Sequence, residues 1–139
     1  MEFGFWLPTH KTSGPLAGPD SLKTLARRGE ELGFGLCYAS DRVVTPRTIA
    51  SNYSYSNDGV YSGGGSSMDL LSVLAFVAGN TEHLRLLPLV MVLPYRNPIN
   101  TAKVLSTIDV ISSGRLIVGC GVGWMREEFE ILGAPPYSN

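Results

Sequence analysis

Apolar positions along this chain fall into short blocks that switch between a strand-like and a helix-like period. The first block, residues 1–7, holds Phe3, Phe5, Trp6 and Leu7 around Gly4 and stops at Pro8, which predicts a buried strand. Gly14, Pro15, Gly18 and Pro19 make residues 9–19 a loop. Asp20, as N-cap, then opens a helix whose stripe of Leu22, Leu25, Ala26, Gly29 and Leu32 is opposed by Lys23, Arg27, Arg28, Glu30 and Glu31, with Gly33 closing it. A second strand is expected at residues 36–39, ended by Ser40-Asp41-Arg42. Residues 44–67 show no period and read as one long irregular loop, rich in Ser, Asn, Gly and Tyr. From Ser67, a second N-cap, residues 68–78 are apolar almost all round, as in a helix buried on several sides. A near-continuous aliphatic run at 84–93 predicts a third strand buried on both faces. Asn97 and Pro98 then start a third helix with Ile99, Ala102, Leu105, Ile108 and Ile111 on one face and Gly114 at its end. A fourth strand at 116–118 and a short helix at 126–132 complete the pattern.

Strands alternating with helices imply a parallel α/β architecture with right-handed crossovers. An open doubly wound sheet and a closed (β/α)8 barrel both fit the local pattern. The barrel needs about 250 residues and would be half built in 139.

Composition narrows the function. Eleven Lys and Arg against twelve Asp and Glu leave a net charge of −1, so no basic field is expected to hold nucleic acid or an anionic membrane. No apolar run reaches the roughly 18 residues of a membrane span, and residues 1–10 lack a signal-peptide pattern, so a soluble cytoplasmic protein is expected. Cys37 and Cys120 read as reduced and structural. His10 and His83 have no second ligand at metal spacing, and no metal site is expected. Gly119, Gly121 and Gly123 follow a strand, but Trp124 stands where a dinucleotide motif needs glycine. These glycines suit relief of crowding at a strand end, or a flat ring packed on the backbone. Gly63-Gly64-Gly65 lacks the lysine of a phosphate loop and reads as flexible chain. Asp41 and Arg42 end a strand, where parallel folds place binding groups, yet read equally as a surface ion pair. Glu127, Glu128 and Glu130 read as a solvated helix face.

Taken together, Leu93-Pro94-Tyr95-Arg96-Asn97-Pro98, Leu105-Ser106-Thr107-Ile108-Asp109, Ser113-Gly114-Arg115-Leu116 and Gly119-Cys120-Gly121-Val122-Gly123-Trp124 resemble the bacterial luciferase-like monooxygenase superfamily, and within it the coenzyme F420-dependent oxidoreductases. The match continues through Met125-Arg126-Glu127-Glu128-Phe129-Glu130 and covers essentially all 139 residues. The resemblance implies the N-terminal half of a TIM (β/α)8 barrel of the luciferase-like type, residues 1–139 supplying about four parallel strands with intervening helices. It implies a ring cofactor, F420 or alternatively FMN, at the C-terminal mouth of the strands, with Leu7, Ser40, Asp41, Leu89, Val90, Met91, Gly121 and Val122 as binding candidates. A non-prolyl cis peptide between Leu89 and Val90 is implied as well. Trp6, Tyr53 and Tyr55, with Tyr61, are candidates for a substrate wall. Asp41 and Arg42 are the catalytic candidates. Relatives often carry His after the Asp, whereas Arg42 fixes anions but does not readily exchange protons, which leaves proton transfer unassigned. Gly121 replaces the reactive Cys of luciferases proper, so light emission is not implied. The implied activity is hydride or oxygen transfer to a small organic substrate. The alternative is a noncatalytic assembly or dimerisation module. Half a barrel exposes two sheet edges, so homo-oligomers through helices near 68–80 and 98–112, or a missing C-terminal half, are expected as partners.

Overall fold

A computed structural model describes residues 1–63 and 65–135. Strand β1 (Gly4–Trp6) leads through short 3-10 turns to helix α1 (Pro19–Glu31), and β2 (Leu36–Ala39) leads through the long loop to α2 (Leu70–Ala78). Strands β3 (Arg85–Pro88) and β4 (Met91–Val92) precede α3 (Pro98–Ile111), and β5 (Cys120–Gly121) precedes α4 (Arg126–Leu132). β1, β2 and β3 pair in parallel in that order, with Phe5 opposite Cys37 and Cys37 opposite Leu86. β4 and β5 form a second parallel pair, Met91 opposite Cys120. A parallel bridge between Leu86 and Leu116 continues the ladder between these two pieces. The strands therefore run 1-2-3/4-5 with a helix after each, which is half of a (β/α)8 barrel.

Several elements depart from their predicted form, each for a local reason. The third strand is not one run over 84–93: a cis peptide bond joins Leu89 to Val90, and these two residues stand 42% and 41% exposed between β3 and β4. The fourth strand answers this break. Instead of pairing at 116–118 it makes one bridge at Leu116 and resumes at Cys120–Gly121. Ser67 does not cap α2, because its hydroxyl donates to the Arg42 carbonyl at 3.0 Å; Asp69 caps it instead, accepting from the Ser72 amide at 2.8 Å. In α1 the extended Gly18 takes the cap, with Pro19 in the first position, which pushes Asp20 into the first turn. Leu25 and Leu32 on α1, and Ile99 and Ile111 on α3, remain exposed; the inward faces are Leu22, Ala26 and Gly29, and Thr101 and Ile108. Cys120 is exposed rather than buried, while Cys37 is buried and its thiol is pushed up to about 12 by loss of solvent.

The core forms where α2 meets the sheet: Leu70, Leu74, Val77, Leu84, Leu86 and Cys37 are fully enclosed. Gly29 lets α1 approach β1, since a Cβ there would collide with the Phe5 ring. Arg115 ties the layers electrostatically. Its guanidinium donates to the carbonyls of Ser112 at 2.6 Å, Leu84 at 2.7 Å, Ala78 at 2.9 Å and Thr81 at 3.0 Å, and to Thr81 Oγ1 at 2.9 Å. All five donors are thus used, and one of the acceptors, the Ala78 carbonyl, ends α2, where the helix cannot satisfy it itself.

The long loop is fastened from the far end of the chain. Glu127, in the first turn of α4, accepts from the amides of Ala50 and Ser51 at 2.8 and 3.0 Å and from Ser51 Oγ at 2.6 Å. Burial is the largest single influence on the Glu127 carboxyl and raises it, but the Ser51 hydroxyl and the surrounding amides together outweigh it and hold its pKa at about 2.

Two outcomes are expected. Arg115→Met removes five charge-assisted bonds and leaves enclosed carbonyls bare, so the urea midpoint should fall by the equivalent of about 3 kcal/mol with an unchanged slope. Because the Glu127 carboxyl is depressed in the folded chain, its tether is complete above the ordinary value of 4.5 and is lost as pH falls toward about 2. Protection of the Ala50 and Ser51 amides against hydrogen exchange should hold at pH 6 and decay over that window, and Glu127→Gln should blunt the decay.

Candidate functional site

The C-terminal end of β2 places three polar residues in a row, and each reaches a different neighbour. Ser40 Oγ lies 2.9 Å from His10 Nε2, on the segment after β1. Asp41 turns toward β4: its carboxylate, wholly shielded from solvent, accepts the Val92 amide at 2.9 Å and Arg96 Nη2 at 2.7 Å, with Arg96 Nη1 also in contact. Arg96 reaches Asp69 at 3.5 Å as well. Burial alone would lower the Arg96 pKa, but its bonds and proximity to Asp41 and Asp69 raise it. Arg42 turns the opposite way and donates Nη1 to Glu128.

Glu128 corrects the sequence reading most sharply. It is 0% exposed, and besides Arg42 it accepts the amides of Val43 at 3.1 Å and Val44 at 3.3 Å. Glu127 is likewise engaged with the loop, so neither residue belongs to a solvated face. The Arg42 guanidinium also lies 5.0 Å over the Tyr61 ring and 5.9 Å from the Trp124 ring. Its charge is therefore cancelled by a buried carboxylate, and the expected anion-fixing role does not fit this geometry. The enclosed Arg42 Nε has no hydrogen-bond partner among the described residues.

These groups edge a hollow of about 550 Å³ at the C-terminal ends of the strands. Trp6 ends β1 and His10 follows it; Ser40, Asp41 and Arg42 follow β2; Tyr53, Tyr55 and Tyr61 come from the loop; Val90 belongs to the cis bond and Val92 to β4; Gly121, Val122 and Trp124 come from β5 and beyond. The rings form a connected cluster, with Tyr53 centred 4.9 Å from Trp124 and 5.2 Å from Tyr61, and Tyr55 5.5 Å from Tyr53. Beside them lies an apolar shelf of Val90, Gly121 and the 77% exposed Val122. A Cβ on Gly121 would come within 2.6 Å of Val90 Cγ2, so the Val90 side chain packs directly over the bare Gly121 backbone and would have to shift for any larger residue there. A larger cavity, about 810 Å³, is lined by the loop alone and shares only Tyr61 with the strand-end hollow.

The structure thus gathers Trp6, Ser40, Asp41, Arg42, Tyr53, Tyr55, Val90, Gly121 and Val122 around one space. It does not bring Leu7, Met91 and Leu89 there: Leu7 and Met91 are fully enclosed in the core behind the strands, and Leu89, though partly exposed, does not line the hollow. The residues missed by sequence reasoning are His10, Trp124 and Glu128. Burial first, and the Arg42 charge second, lower the His10 imidazole below its ordinary 6.5. Among the described residues no cluster of three or more His, Cys, Asp or Glu is placed to hold a metal ion, and no helix is long and apolar enough to cross a membrane.

Comparison with known proteins gives this architecture a context. The crystal structure of monooxygenase RslO1 from Streptomyces bottropensis superposes with a TM-score of 0.74 at 27% identity, covering 97% of this chain and 37% of that one. The coenzyme F420-dependent tetrahydromethanopterin reductase of Methanopyrus kandleri superposes with a TM-score of 0.64 at 25% identity, covering 96% of this chain and 30% of its own. An uncharacterised protein of Mycobacterium tuberculosis is 26% identical over 113 residues, which is 80% of this chain and 39% of the relative. The chain therefore spans between a third and two fifths of these proteins' lengths, or slightly less for the reductase. The sequence profile described as luciferase-like monooxygenase matches residues 1–138, and the chain belongs to that family.

Proposed function

We propose that this chain forms the ring-binding face of a flavin-type oxidoreductase that takes coenzyme F420, or alternatively FMN, and moves hydride or oxygen to or from a small organic substrate. The observation that carries the reading is the shelf of Val90, Gly121 and Val122, open at the strand ends and bordered by aromatic side chains. Bare backbone at Gly121 and exposed aliphatic carbon on either side fit a planar ring system, which loses apolar area to water on docking there. The coenzyme F420-dependent reductase that shares this fold supports a ring cofactor of this class.

Such a ring, when bound, supplies the hydride or oxygen chemistry, and the chain's own residues prepare the space. Val90, Gly121 and Val122 seat the ring, and Asp41, locked by Arg96 and the Val92 amide, fixes β2 relative to β4 so that the seat keeps its shape. Tyr53, Tyr61 and Trp124 cover the hollow from the loop side and exclude water. Asp41 is spent in this lock, which makes it a positioning residue, and Arg42 holds the loop through Glu128.

A second reading, assembly, is favoured by one surface. Helix α3 leaves Ile99 and Val110 78% exposed and Ile111 50% exposed, whereas α2 spends most of its apolar residues in the chain's own core. Self-association is therefore proposed through α3 rather than α2.

Equilibrium binding of FMN and of F420 to the chain, followed by the fluorescence of the ring, tests the first reading. Saturable binding of one of them is expected, and Gly121→Leu should weaken it at least tenfold with unchanged circular dichroism. Binding of neither to a folded chain, or equal binding by the variant, would sink the proposal. Sedimentation should report at least two chains per particle, and Ile99→Lys with Val110→Lys should lower that number.

A further inference from the structure

The charges around the hollow cancel in pairs. Asp41 is fully shielded and engaged by Arg96, and Arg42 is balanced by the enclosed Glu128. The remaining ionisable neighbours are His10 and the phenols of Tyr53, Tyr55 and Tyr61. His10 faces Ser40 and lies near Arg42, and burial with that charge keeps its imidazole neutral at pH 7. A carboxylate or phosphate entering this space would lose its water and meet no free cation among the described residues, a costly exchange.

The hollow is not featureless, however. Tyr55, 83% exposed, and Trp6, 45% exposed, present open ring surface, and the Tyr53, Tyr61 and Trp124 cluster backs it. Ring faces and edges of this kind gain from a second planar system packed on them. Against this apolar wall stands one polar pair, Ser40 Oγ and His10 Nε2, 2.9 Å apart. The imidazole nitrogen is spent on Ser40, as donor or acceptor by tautomer, which leaves the Ser40 hydroxyl free to donate to one ligand oxygen or to accept from it.

From this arrangement we infer that the hollow takes an uncharged aromatic compound bearing a hydroxyl or carbonyl oxygen, with its rings against Tyr55 and Trp124 and its oxygen at the Ser40 hydroxyl, whose donor or acceptor sense His10 sets. This names a substrate class for the function proposed above and rests on that reading. A site built to bond one oxygen rejects the analogue that lacks it and rejects more strongly the analogue that brings an unpaired charge. Ser40 and His10 are then the specificity-determining residues of the chain.

The test uses the full chain with three probes of one shape: 2-naphthol, naphthalene and 2-naphthoate. Both tryptophans of the sequence, Trp6 and Trp124, line the hollow, so their two indole N–H signals report occupancy by nuclear magnetic resonance while calorimetry gives affinity. At pH 7, 2-naphthol should bind at least tenfold more tightly than 2-naphthoate and several-fold more tightly than naphthalene. Ser40→Ala and His10→Gln should each erase the advantage of naphthol over naphthalene and leave naphthalene affinity within twofold, while Tyr55→Ala should weaken both by a similar factor. Equal or tighter binding of naphthoate would overturn the inference. So would an unchanged naphthol advantage in both polar variants, or no movement of either indole signal with any probe. Ring-cofactor binding is followed separately: a chain that binds FMN or F420 but does not discriminate among the naphthyl probes loses the substrate class alone, and one that discriminates but binds neither ring loses the oxidoreductase reading.

Discussion

The enclosed carboxylate of Glu128 is the constraint on which the mouth of this half-barrel depends. An ionised group in such a place is tolerated only when its lone pairs find donors: the Tyr95 phenol bonds it from nearby, and three more donors come from afar, the Arg42 guanidinium and two consecutive loop amides. All three lie more than eighty residues earlier in the chain. One side chain on the last described helix therefore dictates where the loop after β2 begins, and its neighbour Glu127 dictates where that loop passes Ser51. Tyr53 and Tyr61 reach Trp124 because those two points are fixed.

The same logic explains why adjacent residues at the end of β2 have opposite duties. Consecutive side chains on an extended segment point to opposite sides, so Asp41 and Arg42 cannot serve one partner. Asp41 grips Arg96 and the Val92 amide, joining β2 to the strand beyond the cis bond, while Arg42 grips α4. Ser40 completes the set by meeting His10. Three segments remote in sequence, the turn after β1, the β4 region and α4, thus converge on three successive positions that edge the hollow.

Much of this architecture was legible in the residues. The strand at Leu36–Ala39, the Asn97–Pro98 start of α3 and the helix at Arg126–Leu132 follow from apolar blocks and capping chemistry that act within a few residues. What escaped were facts of long range. Whether Asp69 or Ser67 caps α2 turns on Ser67 being drawn to the Arg42 carbonyl, and local pattern holds no trace of that contact. Three glutamates near a helix start look solvated until an arginine from the second strand is brought beside one of them. His10 has no second ligand at metal spacing, and its partner is instead a serine thirty residues away that no local pattern points to. Leu7 and Met91 were assigned to the ring by position along strands, and their side chains instead face the core, as alternation along a strand allows.

Between its fastenings at Ser51 and Tyr61, the loop closes on itself. The Tyr53 amide donates to the Gly59 carbonyl at 2.8 Å, and Ser56 returns to Tyr53 at 3.2 Å, so the backbone of the tip closes on itself while the Tyr53 ring packs on Trp124. Lengthening such a tip costs only about 0.6 kcal/mol of closure entropy per doubling. Added residues at the tip would therefore redraw the contour of the hollow, while the glutamate fastenings keep the rest of the barrel mouth unchanged.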